Sequence, residues 1–128
     1  MVFEEPAVVE PVDPFESGEL EMPKYLIQVA CTPESWAAMV KNPQSRLEAV
    51  SPAVESMGGE FEDAWFAFGE YDLVGICDFP DNVSAAAFSV SVAGKGSVKA
   101  LTTTPLMTMD EGVAAMKKAS ASTYAPPK

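Results

Sequence analysis

Apolar and polar positions alternate from Lys24 to Cys31, with Tyr25, Ile27, Val29 and Cys31 on one side and Leu26, Gln28 and Ala30 on the other, which predicts a strand. Thr32-Pro33-Glu34 follows as N-cap, first-turn proline and first-turn acid, the start of a helix. Pro43 is expected to restart that helix after Lys41-Asn42, and Leu47, Val50, Val54 and Met57 then fall on one face at helical spacing. Pro52 should kink the run, and Gly58-Gly59 should end it. Two aromatic and β-branched runs come next, Glu60 to Phe68 and Tyr71 to Phe79, with Gly69-Glu70 as a tight antiparallel hairpin between them. Pro80-Asp81 opens a second helix to Ala93, Gly94-Lys95-Gly96 ends it, and Val98 to Thr104 is a fourth strand. Thr108 with Glu111 makes a capping box for a last helix to about Ala119.

The order is β-α-β-β-α-β with an extra C-terminal helix, an α+β, ferredoxin-like arrangement in which helices cover one face of a four-stranded antiparallel sheet. Tyr25, Ile27 and Val29 oppose Leu26 and Ala30; Ala64, Phe66 and Phe68 oppose Trp65 and Ala67; and Val74 and Ile76 oppose Leu73, Cys77 and Phe79, so both faces read as apolar. A bare apolar sheet face exceeds the patch a soluble monomer exposes, and a second copy around a twofold axis is its natural cover. A homodimer is expected.

Charge divides the chain into three parts. Residues 1–21 carry seven carboxylates (Glu4, Glu5, Glu10, Asp13, Glu16, Glu19, Glu21), no base, and Pro6, Pro11 and Pro14, an acidic Pro/Glu-rich tail outside any packed core. Residues 22–119 form the domain, and residues 120–128, ending Ala-Pro-Pro-Lys, are a second tail. The overall charge of −11 argues against nucleic acid as a partner, since phosphate binding needs clustered Lys and Arg. No apolar stretch is long enough to span a bilayer, and the start Met1-Val2-Phe3-Glu4-Glu5 lacks the features of a secretory signal. With only Cys31 and Cys77, both in apolar runs, the expected setting is the cytoplasm with reduced thiols.

The chain contains no histidine, which removes His-ligated metal or haem, a Ser-His-Asp triad and a Cys-His dyad. No cofactor and no metal are expected: Asp78, Asp81 and Asp110 lack calcium-loop spacing, and Gly94-Lys95-Gly96 is too short for a phosphate loop. Tyr71-Asp72 is the weak catalytic candidate, Tyr as donor to a carbonyl and Asp as proton acceptor. Neighbouring strand residues point to opposite faces, so the competing role for Asp72 is to cap backbone groups at a turn that Gly69 permits. Arg46, the only arginine, is a candidate for an anionic ligand, or a partner of Glu34 or Glu48. Trp36, Trp65, Phe66, Phe68 and Phe88, with Met39 and Met57, are either the lining of an aromatic-ligand cavity or plain core.

Several segments together carry a resemblance: Met22-Pro23-Lys24-Tyr25-Leu26-Ile27, Thr32-Pro33-Glu34, Asn42-Pro43 with Arg46, Gly58-Gly59, Phe68-Gly69-Glu70-Tyr71-Asp72-Leu73-Val74, Asp78-Phe79-Pro80-Asp81-Asn82 and Lys99-Ala100-Leu101-Thr102-Thr103-Thr104. Over about residues 22–118 the chain resembles the GYD-domain family of the dimeric α/β-barrel superfamily. The resemblance implies a ferredoxin-like fold paired as a dimer. The superfamily spans cofactor-free monooxygenases, haem enzymes, lactone isomerases and stress-response proteins, and the missing axial histidine argues against its haem branches.

Two functions follow as expectations. The first is a non-catalytic accessory or binding protein of a larger assembly, docking through the acidic leader with Phe3, Val8, Val9, Val12 and Phe15 as anchors. The alternative is a small cofactor-free oxygenase or isomerase acting on an aromatic or quinone-like molecule, with Tyr71, Asp72, Trp65 and Arg46 as its polar and aromatic groups. A third option is a stress-associated protein that binds a small apolar molecule.

Overall fold

The computed structural model describes residues 21–128. The elements run β1 (Lys24–Cys31), α1 (Pro33–Lys41), α2 (Arg46–Ser56), β2 (Glu60–Phe66), β3 (Leu73–Asp78), α3 (Asn82–Ala93), β4 (Val98–Leu106) and α4 (Met109–Ser120). The strands form one antiparallel sheet in the order β2-β3-β1-β4, the ferredoxin-like arrangement with the C-terminal helix added.

Local chemistry sets most boundaries where the residue pattern puts them. The Thr32 hydroxyl accepts from the Ser35 N–H and Pro33 takes the first turn of α1. Asp81 accepts from the Ser84 N–H to start α3, and Thr108 and Glu111 close a reciprocal capping box on α4. At the end of α2 the Gly58 N–H donates to the Glu55 carbonyl and the Gly59 N–H to the Val54 carbonyl, a Schellman closure. Gly58 has φ +77°, which explains the first glycine of the pair. The second is needed for space: a Cβ on Gly59 would stand 2.6 Å from the Phe79 ring and 2.7 Å from the Asp78 carbonyl oxygen.

The buried face of the sheet carries Tyr25, Ile27, Val29 and Cys77, packed with Val54, Phe79 and Phe88. Phe79 sits between two rings, 5.7 Å from Tyr25 edge-on and 5.6 Å from Phe88. The Tyr25 hydroxyl donates to Asn82 Oδ1 at 2.6 Å and ties β1 to the first turn of α3.

Three expectations need correction. Pro43 does not restart a helix; it lies in the link before Ser45, whose hydroxyl accepts from the Leu47 N–H, so α2 begins at Arg46. α2 runs on through Pro52 to Ser56. The hairpin is not tight: β2 ends at Phe66, β3 starts at Leu73, and the Ala67 N–H donates to the Asp72 carbonyl at 2.8 Å across the intervening link. Gly69 has no positive φ and open space around its Cα, so the turn does not depend on it, and Phe68 is 96% exposed.

The uncovered sheet face is mixed, not apolar throughout. Register places Leu26, Val74, Ile76 and Trp65 there, but also Gln28, Asp63, Thr102 and Thr104. The alternation of β4 supplies the threonines, and an irregularity between Phe61 and Asp63 brings the acid across. Near one corner Lys24 bonds Glu62 and, at 3.2 Å, Asp78.

Candidate functional site

A cavity of about 240 Å³ lies between the sheet and the helix layer. Its walls are apolar: Ile27 and Val29 of β1, Leu73 of β3, Phe88 of α3, Leu101 of β4 and Val50 of α2. The polar groups are few and gather at one end, where Cys31, Ser35, Ser45, Ser97 and Arg46 meet. Among the described residues, Arg46 is the only charged one lining it. It is half-buried, and among the described residues no carboxylate lies within ion-pair distance of its guanidinium, so neither Glu34 nor Glu48 pairs with it.

Arg46 reaches this place because Ser45 caps α2. The cap turns the chain so that Arg46 occupies the first helical position, and Leu47 and Val50 follow onto the cavity side. The guanidinium is felt at Cys31. Burial pushes the Cys31 thiol above its ordinary pKa, Asp72 pushes it further, and Arg46 pulls it back. Cys77, deeper in the core, is pushed up to about 12, first by burial and then by Asp78. Both thiols are free, buried and protonated at neutral pH.

The structure separates the Tyr71-Asp72 pair from the cavity. Neither residue lines it. The Asp72 carboxylate accepts the Cys31 N–H at 2.8 Å, while its own N–H donates to the Val29 carbonyl at 2.8 Å. The side chain therefore extends the β1–β3 ladder one step before the start of β3, taking the place of a backbone acceptor. The capped group belongs to β1 and not to the hairpin itself.

Of the aromatic candidates, Phe66 and Phe88 line the cavity and Trp65 borders it from β2, although Trp65 remains 54% exposed. Trp36 does not line it; its ring lies 6.2 Å from Phe66 and packs against the core edge. Met39 is core and Met57 packs beside it. The proposed anchors Phe3, Val8, Val9, Val12 and Phe15 lie outside the described residues. Sequence reasoning missed Ser35, Ser45 and Ser97 as the polar end of the cavity. Only Ser45 left a trace, as a capping residue directly before Arg46.

Among the described residues no three or more carboxylates, thiols or imidazoles gather where they could hold a metal ion, and no helix is long and apolar enough to cross a membrane. No curated protein matches the chain. Among solved structures, the crystal structure of MtbAldR is similar in fold, with a TM-score of 0.50 and 16% identity over 80% of this chain. The matched part is 62% of MtbAldR, so the likeness covers less than two thirds of that protein. The profile of the GYD domain matches residues 25–116, from the first buried tyrosine of β1 into α4, and with the ferredoxin-like sheet already described the chain belongs to the GYD-domain family.

Proposed function

We propose that this chain is a binding module for a small, largely apolar molecule carrying a carboxylate or a similar anionic group. The observation that carries it is the half-buried guanidinium of Arg46, unpaired among the described residues, at one end of an otherwise apolar cavity. A guanidinium without a carboxylate partner among the described residues, beside Ser35, Ser45 and Ser97, is a ready-made bidentate donor for a planar anion. The apolar remainder suits a ring. A dry cavity of about 150 Å³ is enough for benzene, and this one is about 240 Å³.

Binding without turnover is favoured over the oxygenase or isomerase alternative by what lines the cavity. Among the described residues the lining offers no carboxylate, tyrosine or lysine to move a proton, and its one thiol is held protonated. Asp72 is committed to the Cys31 N–H. The half-apolar open sheet face supports pairing of two copies as the working form, with Leu26, Val74, Ile76 and Trp65 at its centre.

The test is calorimetric titration with benzoate and phenylacetate against benzyl alcohol. The carboxylates are expected to bind about ten- to a hundredfold more tightly, the ratio that a charge-assisted pair of about 1.5–3 kcal/mol supplies. Arg46→Met should erase that preference and leave the weak binding of the alcohol intact. Equal affinity of wild type for acid and alcohol, or an Arg46→Met variant that keeps the preference, refutes the assignment.

A further inference from the structure

Two helices of this chain present apolar faces that nothing among the described residues covers. α3 has no charged residue, and while Ala85 and Phe88 are buried against the sheet, Val83 and Val90 on the outer face are 78% and 71% exposed. With Ala86 and Ala93 they form a stripe at helical spacing, and Val90 and Ala93 border a groove shared with Ala100 at the free edge of β4. α4 is amphipathic and buries none of its residues; Met109, Val113 and Met116 make its apolar stripe and are 89%, 43% and 66% exposed. A helix of this length draws its stability from packing such a face, and one that is apolar all round belongs in an interior.

We propose that α4 of one copy docks antiparallel on the outer face of α3 of a second copy, reciprocally. Both helices are 12 residues long. In the antiparallel register the large side chains meet small ones: Met109 falls opposite Ala93 and Met116 opposite Ala86, while Val113 meets Val90. The charges also match. The acidic first turn of α4 (Asp110, Glu111) comes beside Lys95 at the exit of α3, and its basic last turn (Lys117, Lys118) comes beside Asp81 at the N-cap.

The same chain's own α4 cannot supply this arrangement. Lys24 pairs with both Leu106 and Asp78, so β4 ends, and α4 begins, at the end of the sheet where α3 also begins. Folding back would lay α4 parallel to α3, with Asp110 and Glu111 against Asp81 and the lysines away from it. Only a second copy gives the opposite direction.

The experiment mixes two single variants of the full chain, Val90→Cys and Val113→Cys. Both positions are exposed, so folding should be unaffected, and Cys31 and Cys77 are buried and silent. Under mild oxidation the mixture is expected to form a disulfide-linked pair of unlike chains at least about tenfold faster than either variant alone, because docking raises the local thiol concentration. A mixture that links no faster than the single variants overturns the proposal. The chain bearing both substitutions gives a second readout: a link between chains supports it, and a link within one chain overturns it by showing that α4 folds onto its own α3.

Discussion

Replacing Asp72 tests whether the aspartate of the Gly-X-Tyr-Asp segment holds the fold or acts on a ligand. Its carboxylate accepts the N–H of Cys31 at 2.8 Å, and Cys31 is 5% exposed, so no water stands ready to replace it. Asp72→Ala leaves a buried donor unpaired and removes a bond to a charged acceptor. Together these cost about 2 kcal/mol, within the range of about 1.5–3 for hydrogen bonds to charged groups. Asp72→Asn keeps one acceptor oxygen and should recover about half of the loss. At a urea slope of about 2 kcal/mol per molar, the alanine variant should unfold about 1 M earlier. The assay is equilibrium urea unfolding followed by tryptophan fluorescence, with all variants at one protein concentration because association adds to stability. Titration of the carboxylate ligands provides the second arm. An alanine variant as stable as wild type but unable to bind them would refute the structural role and move Asp72 into the site.

Other expectations follow from single contacts. Gly59→Ala forces a methyl against the Phe79 ring and the Asp78 carbonyl and should cost about 1–3 kcal/mol or more, whereas Gly69→Ala, in open space without a positive φ, should stay within about 0.5 kcal/mol; thermal unfolding separates the two. Cys77, with its pKa pushed up to about 12, should resist iodoacetamide at pH 8 in the folded chain and react once urea unfolds it, as counted by mass spectrometry. Asp78 has its pKa raised, chiefly by burial, despite the pull of Lys24. The folded chain therefore holds that proton more tightly than the unfolded one, and stability falls as pH rises above the unfolded carboxyl value of 3.8. Asp78→Asn should remove this slope, so its stability relative to wild type should climb through that window and then level off; a flat difference from pH 3 to 7 contradicts the sign.

The fold was legible where a feature is local. Thr32-Pro33, Asp81, Gly58-Gly59 and the Thr108–Glu111 box each act through bonds within a few residues, and the helices begin or end there. The β2–β3 link was not legible, because its shape depends on Asp72 reaching across to Cys31 and Val29. Without that distant anchor, Phe68 and Tyr71 read simply as strand residues. The polarity of the uncovered face is not legible strand by strand, because it comes largely from Thr102 and Thr104, two ladders away from the apolar residues of β3. Arg46 was recognised as a candidate, but its isolation from Glu34 and Glu48 is a matter of where α1 and α2 end up, which the spacing does not encode.

Val98 and Leu101 of β4 border both the interior cavity and the groove beside α3. A ligand that settles among the cavity side chains must therefore press on the strand that forms the floor of the docking groove. Packed interiors do not absorb such displacement locally, so the two events are expected to be coupled. Coupling is reciprocal, and a pair of copies holds two ligands: whatever factor association adds to the affinity of each cavity, saturating ligand adds the square of it to association. Val90→Glu disturbs α3 only on its outer face, away from the cavity, and should weaken binding of an aromatic carboxylate by the square root of the factor by which that ligand, at saturation, strengthens pairing in the unaltered chain. Sedimentation with and without ligand yields one factor and calorimetry of the variant the other. A ligand affinity untouched by Val90→Glu, together with assembly that the ligand does strengthen, would break the equality and show that β4 does not transmit between the two faces.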